Sequence, residues 1–281
     1  MVPDMRITSS IVTYQTDPEQ LRTVIACTVD SAVDRIYVVD NSSEPILGDL
    51  VRGLSPKIEY IHGQGNVGYG AAHNIAIRQA LEIGAEYHIV LNPDIEFQSQ
   101  DIQTLCEYMD NHPEVGWLMP RVIYPEGRLQ YLCKRLPTPM DLIGRRFLGF
   151  LPSTAKRNRC FEMRDSGYDR EMDVPFCSGC FMFLRTETLR ELGLFDDRIF
   201  MYGEDLDLSR RIYTSDRWTT RFFPDITIVH AHNKESYRNL KLLWVHVKSI
   251  VYYFNKYGWV FDRERRQVNR DIFNRYLQDK L

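Results

Sequence analysis

Short apolar runs alternate with segments of helical periodicity along the first half of the chain. The runs lie at residues 9–14, 35–40, 57–62, 87–94 and 115–120. The near-continuous apolar character of the run at 35–40 is typical of a buried parallel strand. One intervening segment begins with an aspartate cap, Asp17, followed by Pro18 at the first helical position. This alternation predicts an α/β fold with a mostly parallel sheet flanked by helices.

The second half of the chain is less regular. Residues 125–175 are rich in arginine, proline and turn residues, which indicates a long excursion from the sheet. A strand is predicted at 179–185, and a helix dense in carboxylates within 193–212. From 239 to 257, apolar residues recur at helical spacing, and Gly258 follows them. This pattern predicts an amphipathic helix that ends at the glycine.

Composition places the chain among soluble globular proteins. It has 281 residues, of which 44% are hydrophobic and 26% charged, and its net charge is −3. No nucleic-acid partner is expected from so small a net charge. The charge is uneven, because residues 128–170 and 238–281 each carry ten Lys/Arg against four Asp/Glu. These basic segments indicate contact with anionic groups or an anionic surface, and solvated helix faces are the alternative interpretation.

Neither a signal peptide nor a membrane span is predicted. The N-terminal residues lack a basic stretch followed by a long apolar run, and no apolar run approaches the ~18 residues that a span needs. We therefore expect a cytoplasmic chain whose six cysteines are reduced. Cys177 and Cys180 fit the C-x-x-C spacing, but they precede a predicted strand instead of opening a helix. Two buried small residues are the preferred interpretation.

A complete G-x-G-x-x-G motif, Gly63 to Gly68, lies between a strand-like run and a helical run. A dinucleotide fingerprint belongs in the first strand–helix turn, with an acidic residue about 20 positions later. Here the motif follows the third strand, and the next strand ends in Asn-Pro-Asp at 92–94. The position argues against NAD. Glycines before a helix still allow a ligand to approach the backbone and the positive helix N-terminus.

Polar residues follow the predicted strands, at the edge where open α/β sheets bind ligands. Asp40 can accept a hydrogen bond from a nucleobase or a ribose, and Asp94 is a hard oxygen ligand that suits Mg²⁺ or Mn²⁺ on a diphosphate. His230 could add a nitrogen ligand, and the acidic cluster at 204–207 could supply a general base. Together these residues are suited to moving a sugar from a nucleoside diphosphate to a hydroxyl group.

Seven segments of the chain resemble the family 2 glycosyltransferases of the GT-A fold, especially the bacterial rhamnosyltransferase-like branch. In order they are IVTYQ (11–15), VVDNSS (38–43), NVGYGAAHN (66–74), LNPD (91–94), SGCFMFLR (178–185), FMYGEDLDLSRR (200–211) and HAHNKES (230–236). The resemblance implies a Rossmann-like, mostly parallel sheet flanked by helices. A C-terminal acceptor-side region and amphipathic helices would complete it.

The resemblance also implies a domain organisation. Residues 1–236 would form the GT-A domain, with a nucleotide-sugar-binding half at 1–124 and an acceptor-side half at 125–236. Residues 237–281 would form an amphipathic, basic helical extension.

Roles in donor binding follow from the matching motifs. The predicted nucleotide-sugar-binding residues are Thr13, Tyr14, Asp40, Asn41, Asn66, Gly68, Asn74 and Asn92. Tyr69 is expected to pack instead of binding. Asp94 would be the main carboxylate on the metal, and the asparagine at 92, in place of the family's first aspartate, is expected to weaken metal affinity. His230 is preferred over His232 as the metal-binding histidine.

The catalytic roles fall on the acidic pair that the resemblance identifies. Asp205 would be the base that deprotonates the acceptor hydroxyl, and Glu204 would orient the acceptor. Attack on the anomeric carbon would be a direct displacement with inversion. Asp207 is expected to be structural and to pair with Arg210 or Arg211, its neighbours at i+3 and i+4.

The resemblance favours a dTDP-rhamnose donor, although Asp40 would accept thymine or uracil alike. It favours a saccharide or lipid-linked acceptor in bacterial surface polysaccharide synthesis. The stretch 134–152 and the final helices mix basic and apolar residues, which predicts peripheral contact with the inner face of the membrane. Core packing is the alternative interpretation, and a homo-oligomer is left open. The rival functions are a sugar-phosphate nucleotidyltransferase and a non-catalytic sugar-binding protein, with a dinucleotide oxidoreductase third.

Overall fold

A computed structural model of the chain describes residues 6–147, 152–231 and 240–277. The described strands are β1 (Ile7–Thr13), β2 (Arg35–Asp40), β3 (Ile58–His62), β4 (Tyr87–Leu91), β5 (Ile95–Glu96), β6 (Val115–Ile123), β7 (Cys133–Lys134), β8 (Met172–Asp173), β9 (Phe176–Cys177), β10 (Phe181–Arg185) and β11 (Thr219–His230). The described α-helices are α1 (Pro18–Val29), α2 (Gly48–Arg52), α3 (Tyr69–Glu82), α4 (Asp101–Asn111), α5 (Pro139–Phe147), α6 (Pro152–Phe161), α7 (Thr186–Leu192), α8 (Glu204–Tyr213), α9 (Leu240–Tyr257) and α10 (Arg263–Tyr276).

One nine-stranded sheet forms the centre of the described fold, in the order β3-β2-β1-β4-β10-β6-β11-β5, with β8 paired to β11. Strands β3, β2, β1 and β4 are parallel, as are β6 and β11. The predicted α/β fold with a mostly parallel sheet is confirmed. Strand β10 lies antiparallel between β4 and β6, which an apolar run cannot reveal because its composition carries no direction.

Helices cover both faces of the sheet. Successive residues of β4 point to opposite faces, so Ile89 packs with α1 and α4, whereas Val90 packs with α3, α7, α8 and α10. The Asp17 carboxylate accepts the Glu19 backbone N–H at 2.8 Å, and so caps α1 as predicted. Residues Ile36 to Asp40 of β2 are all buried, so both faces of this strand are covered, which explains its near-continuous apolar sequence.

The C-terminal helices α9 and α10, which belong to the predicted extension, pack on the body of the fold. Ile272 of α10 lies in the core beside α3 and α8. The Leu136 backbone N–H donates to Asn269 at 2.9 Å, and the Asp173 N–H donates to the Tyr276 hydroxyl at 3.0 Å. None of the described helices is both long and apolar enough to cross a bilayer.

The six cysteines are free thiols. Cys177 and Cys180 are both buried, one in β9 and one directly before β10. This placement agrees with the prediction of two buried small residues.

Candidate active site

The carboxyl ends of β1, β2 and β4 lie at one edge of the sheet. Thr13 pairs with Asp40 across β1 and β2, and Ile11 pairs with Leu91 across β1 and β4. The polar residues that end these strands therefore meet at the edge where α/β sheets bind ligands.

Asp40 is fully buried at this edge, and both of its carboxylate oxygens have partners. The Tyr60 hydroxyl donates to Oδ2 at 2.6 Å, and the Ser42 backbone N–H donates to Oδ1 at 3.0 Å. A carboxylate has about four lone-pair positions, so each oxygen can still accept a bond from a ligand. Beside it the buried Thr13 hydroxyl has no hydrogen-bond partner within the described ranges, and the Tyr14 side chain is exposed.

The glycine loop, residues 63–68, is hydrogen-bonded to the end of β2, and the residue that follows the loop is hydrogen-bonded to the segment before α8. The Asn41 side-chain amide donates to the Gly68 carbonyl at 3.1 Å, and the exposed Asn66 accepts the Gly68 N–H at 3.2 Å. The Tyr69 N–H donates to the Phe200 carbonyl at 2.8 Å. Gly68 has φ +94°, and a Cβ on it would lie 2.3 Å from the Phe200 oxygen. The third glycine of the motif therefore permits two loops to touch.

Tyr69 has a more central position than the packing role predicted for it. Its hydroxyl lies 2.8 Å from Asn92 Oδ1 and 2.9 Å from the Gly179 carbonyl oxygen. Burial raises the pKa of this phenol well above its ordinary value, and nearby carboxylates, Glu204 foremost, raise it further. Tyr69 therefore links the ends of β4, the start of β10 and the acidic pair.

Asp94 and His230 form a pair that fits a divalent cation. Asp94 Oδ1 lies 3.3 Å from His230 Nε2, and Asn92 Nδ2 lies 3.4 Å from the same nitrogen. Burial lowers the pKa of His230, but Cys180 and Asp94 together raise it, to about 10. A cation between the two side chains would replace the proton that they otherwise share.

Gln130 orients His230. Its Oε1 lies 3.0 Å from His230 Nδ1, and its Nε2 donates to the His230 carbonyl at 2.7 Å. This amide orientation assigns a proton to Nδ1 and directs Nε2 towards Asp94, as a hydrogen-bond acceptor behind a metal-bound histidine does.

The donor set suits Mg²⁺ or Mn²⁺ that takes its remaining ligands from a diphosphate and water. Within the described ranges, no group of three or more His, Cys, Asp or Glu side chains is arranged to hold a metal ion. His232, the competing histidine, lies outside the residues that the structure describes.

Glu204 and Asp205 begin α8 in different surroundings. Asp205 is partly exposed, and its carboxylate accepts the Gly179 N–H at 3.1 Å and the Leu206 N–H at 2.8 Å. Glu204 is buried, and its Oε2 has no partner among the described residues. Burial raises the pKa of both carboxyls, Asp205 raises that of Glu204 further, and Lys134 lowers that of Asp205.

The structure brings together most of the residues predicted for the site. Short contacts connect them: Asn92 lies 3.4 Å from His230 and 2.8 Å from the Tyr69 hydroxyl. That hydroxyl lies 2.9 Å from the Gly179 carbonyl oxygen, and the Gly179 N–H donates to Asp205 at 3.1 Å. Asn74 does not join them, because its amide donates to the Phe195 carbonyl at 2.9 Å and to Asp197 at 2.6 Å. The geometry therefore gives Asn74 a loop-bracing contact, and its role in donor binding stays a prediction.

Asp207 has the structural role predicted for it. Its carboxylate pairs with Arg211 at 2.9 Å and also accepts from Lys256 at 2.6 Å and Tyr257 at 2.9 Å. Arg210, the other predicted partner, instead contacts Asp262, which lies far along the chain.

The described fold is an α/β fold of the GT-A class. It is similar to a crystal structure of GalNAc-T7 with UDP, GalNAc and Mn²⁺, with a TM-score of 0.63 and 15% identity over 99% of this chain and 59% of that one. It is also similar to S. aureus TarS 1-349 in complex with UDP-GlcNAc, with a TM-score of 0.55 and 15% identity over 96% of this chain and 72% of that one. The chain thus spans about three fifths of the GalNAc-T7 chain.

Residues 10–193 match the model of glycosyl transferase family 2, and the chain belongs to this family. It is 27% identical to the N-acetylglucosaminyl-diphospho-decaprenol L-rhamnosyltransferase of Mycobacterium tuberculosis over 240 residues, which are 79% of this chain and 75% of that protein. It is 26% identical to rhamnosyltransferase WbbL of Escherichia coli over 227 residues, which are 78% and 81% of the two chains. The predicted rhamnosyltransferase-like membership of family 2 is confirmed.

Proposed function

We propose that the chain is an inverting, metal-dependent glycosyltransferase at the inner face of the bacterial cytoplasmic membrane. It would move rhamnose from dTDP-rhamnose to a saccharide or lipid-linked acceptor in surface polysaccharide synthesis. The observation that carries this proposal is that Tyr69 connects the two candidate groups. Its hydroxyl lies 2.8 Å from Asn92, which contacts His230, and 2.9 Å from the Gly179 carbonyl oxygen, while the Gly179 N–H holds Asp205. Asp40 ends β2 at the same edge of the sheet.

The relatives support the sugar and the acceptor class. Two of them are rhamnosyltransferases, and one is named for a diphospho-decaprenol-linked acceptor. The similar solved structures contain UDP or UDP-GlcNAc. The Asp40 carboxylate can accept the N3–H of thymine and of uracil equally, so the choice of base rests on the relatives and is open to experiment.

The chemistry assigned to this chain is a single displacement. Asp205 accepts the proton of the acceptor hydroxyl while that oxygen bonds to the anomeric carbon from the face opposite the diphosphate. The bond from the anomeric carbon to the diphosphate oxygen breaks, and its electron pair leaves with the diphosphate. The configuration at that carbon is inverted.

Three features of the chain suit it to this step. The N–H groups of Gly179 and Leu206 hold the Asp205 carboxylate in place, and burial raises its pKa towards the working pH, where a base is most effective. Glu204 lies beside it to orient the acceptor. Asp94 and His230 would hold a divalent cation, which when bound supplies charge neutralisation for the departing diphosphate.

A donor screen by thermal unfolding tests the proposal. We expect dTDP-rhamnose, or a UDP-sugar, to raise the unfolding temperature, more with Mn²⁺ or Mg²⁺ than without, because a ligand that binds only the native state stabilises it. The variant Asp94→Asn should lose the metal-dependent part of the stabilisation. Stabilisation by NAD and by no nucleoside diphosphate would contradict the proposal.

A further inference from the structure

A cavity of about 1040 Å³ lies between α5, α6, α10 and the turn that precedes α10. Six of the side chains that line it are cationic, and one, Asp141, is a carboxylate. We call this the basic cavity, and its cations are Arg135, Lys156, Arg157, Arg265, Arg266 and Arg270.

Most of this positive charge is not compensated by the described part of the chain. Asp141 is engaged by Arg157 at 2.5 Å. Within the described residues, Arg135, Lys156 and Arg270 form no ion pair, and the Arg135 Nε is buried without an acceptor. A concave surface that gathers cations in this way favours an anionic ligand with several oxygens, such as a phosphate.

An apolar ledge borders the cavity. It consists of the consecutive residues Trp259, Val260 and Phe261, whose exposed fractions are 38%, 63% and 87%, together with Met140 at 49%. Gly258, at φ +106°, turns the chain out of α9 and presents these side chains. A Phe ring with that exposure is costly in water, so the ledge indicates a surface that becomes covered.

The combination of basic cavity and apolar ledge identifies the partner. A soluble phosphate or nucleotide would use the cations but would leave the ledge in water. The boundary between headgroups and acyl chains satisfies both features, because basic residues meet anionic headgroups where apolar side chains can enter the acyl region. We infer that the basic cavity binds the phosphate of an anionic phospholipid while the apolar ledge inserts beside it, and that this face docks on the membrane.

The docking face adjoins the acceptor side of the candidate active site. Cys133 of β7 pairs with Cys177 of β9, and two residues later the Gly179 N–H donates to Asp205. Arg135, directly after β7, lines the basic cavity. A lipid-linked acceptor could therefore reach Asp205 from the docked surface. Of this inference, only the delivery of the acceptor rests on the proposed function.

Vesicle sedimentation with the full chain tests the inference. Vesicles of phosphatidylcholine alone are compared with an equimolar mixture of phosphatidylcholine and phosphatidylglycerol at low salt. We expect binding to the mixed vesicles that weakens as salt is added. Arg270→Glu should weaken it at least about tenfold, because each basic residue near such a surface contributes and the variant reverses one.

Two variants on exposed positions complete the design. Phe261→Ser should weaken binding about tenfold, since it removes a ring from the acyl boundary. Arg22→Glu on α1 is the matched charge control, and we expect it to change binding less than about twofold. Each of these side chains is exposed, and thermal unfolding of each variant verifies that it is folded.

Three results would overturn the inference. They are equal binding to neutral and anionic vesicles, unchanged binding by Arg270→Glu and Phe261→Ser, and stabilisation by inorganic phosphate without vesicle binding, which would identify a soluble anion as the ligand. Because the readout is sedimentation, a failure of the proposed sugar transfer leaves this result unaffected. Turnover of a soluble acceptor by Phe261→Ser reports on the transfer separately.

Discussion

Glu204 and Asp205 are neighbours in sequence with different environments, and this difference supports different roles. Two backbone N–H groups hold the partly exposed Asp205, whereas the buried Glu204 leaves one oxygen without a partner among the described residues. When two carboxyls in one site have different surroundings, one can act as the base while the other orients the substrate. The exposed member is the one that an acceptor can reach.

Glu204→Gln should stabilise the protein above about pH 7 and not at acid pH. The folded state raises the pKa of Glu204 above its ordinary 4.5, so it binds this proton more tightly than the unfolded chain does. Ionisation of Glu204 therefore destabilises the folded state. This destabilisation is absent below pH 4.5 and grows as the pH rises above that value. We expect the variant to unfold about 2 °C or more above wild type at about pH 8, and within about 1 °C of it at about pH 4. Calorimetry at both pH values measures this, and an equal shift at both would contradict the burial argument.

Gln130→Leu should weaken Mn²⁺ binding in the presence of the nucleoside diphosphate by about 10–100-fold, because His230 loses the acceptor that orients its ring. Gln130→Glu keeps an acceptor for Nδ1 and should lose less. Isothermal titration of both variants gives the two affinities. Equal affinity in wild type and Gln130→Leu would remove the positioning role.

The sequence was sufficient to predict the carboxylates of the site, because Asp94, Asp205 and Asp40 belong to motifs at strand ends and helix starts. It was not sufficient for Gln130 or Lys134, which reach the site from the irregular segment at 125–175 and carry no local motif. Tyr69 was predicted only to pack, since its hydrogen bonds join segments that are distant along the chain.

The G-x-G-x-x-G motif before α3 has the backbone geometry of a glycine loop, but its closest contact is with another segment of the chain. Gly63, Gly65 and Gly68 all have positive φ, as a tight loop before a helix requires. Of the three, Gly68 alone closely contacts another segment in the part of the chain that the structure describes, at the Phe200 carbonyl. The motif therefore connects the loop before α3 with the segment before α8.

Gly68→Ala should destabilise the protein by about 3 kcal/mol or more, because strain at φ +94° adds to a clash with the Phe200 backbone. Gly65→Ala is the matched control. Its φ is +69° with nothing within 4 Å of an added Cβ, so only about 1 kcal/mol of backbone strain is expected. Urea unfolding of the two variants gives the comparison, and equal losses would show that the contact with Phe200 is unimportant.

Helices and strands could be predicted where the sequence carries a regular pattern of apolar residues or a capping residue. The second strand was predicted at 35–40 and is observed at Arg35–Asp40, and the helix capped by Asp17 begins at Pro18 as expected. The antiparallel insertion of β10 was not predictable, because its neighbours β4 and β6 are set by tertiary packing. The short elements between 125 and 175 carry too few residues for a periodic signal.

A buried ion pair joins α8, the helix that begins with the acidic pair, to the C-terminal helices. Arg210 of α8 donates to both oxygens of Asp262, at 2.8 and 2.9 Å, and the two side chains are 2% and 3% exposed. Arg210 also contacts Glu264 at the start of α10. The helix that begins with Glu204 is thereby held against residues that the family match at 10–193 does not reach.

Arg210→Met should lower the free energy of unfolding by about 3–5 kcal/mol, because the buried Asp262 would lose both hydrogen bonds from Arg210 and keep only the more distant Arg265 cation, at 3.8 Å. Arg22→Met, which removes an exposed arginine paired with Glu19, should cost less than about 1 kcal/mol. Urea unfolding measures both. A loss of less than about 1 kcal/mol for Arg210→Met would show that α8 is positioned by other contacts.

Asp205→Asn tests the central claim most directly, because it separates donor binding from sugar transfer. The account predicts that this variant binds the nucleoside-diphosphate sugar as wild type does, while kcat falls by at least about a hundredfold through loss of the base. Asp216→Asn, on an exposed turn after α8, should retain full turnover. Measurement of donor affinity and product formation on the same preparations decides the matter, and full turnover by Asp205→Asn would contradict the account.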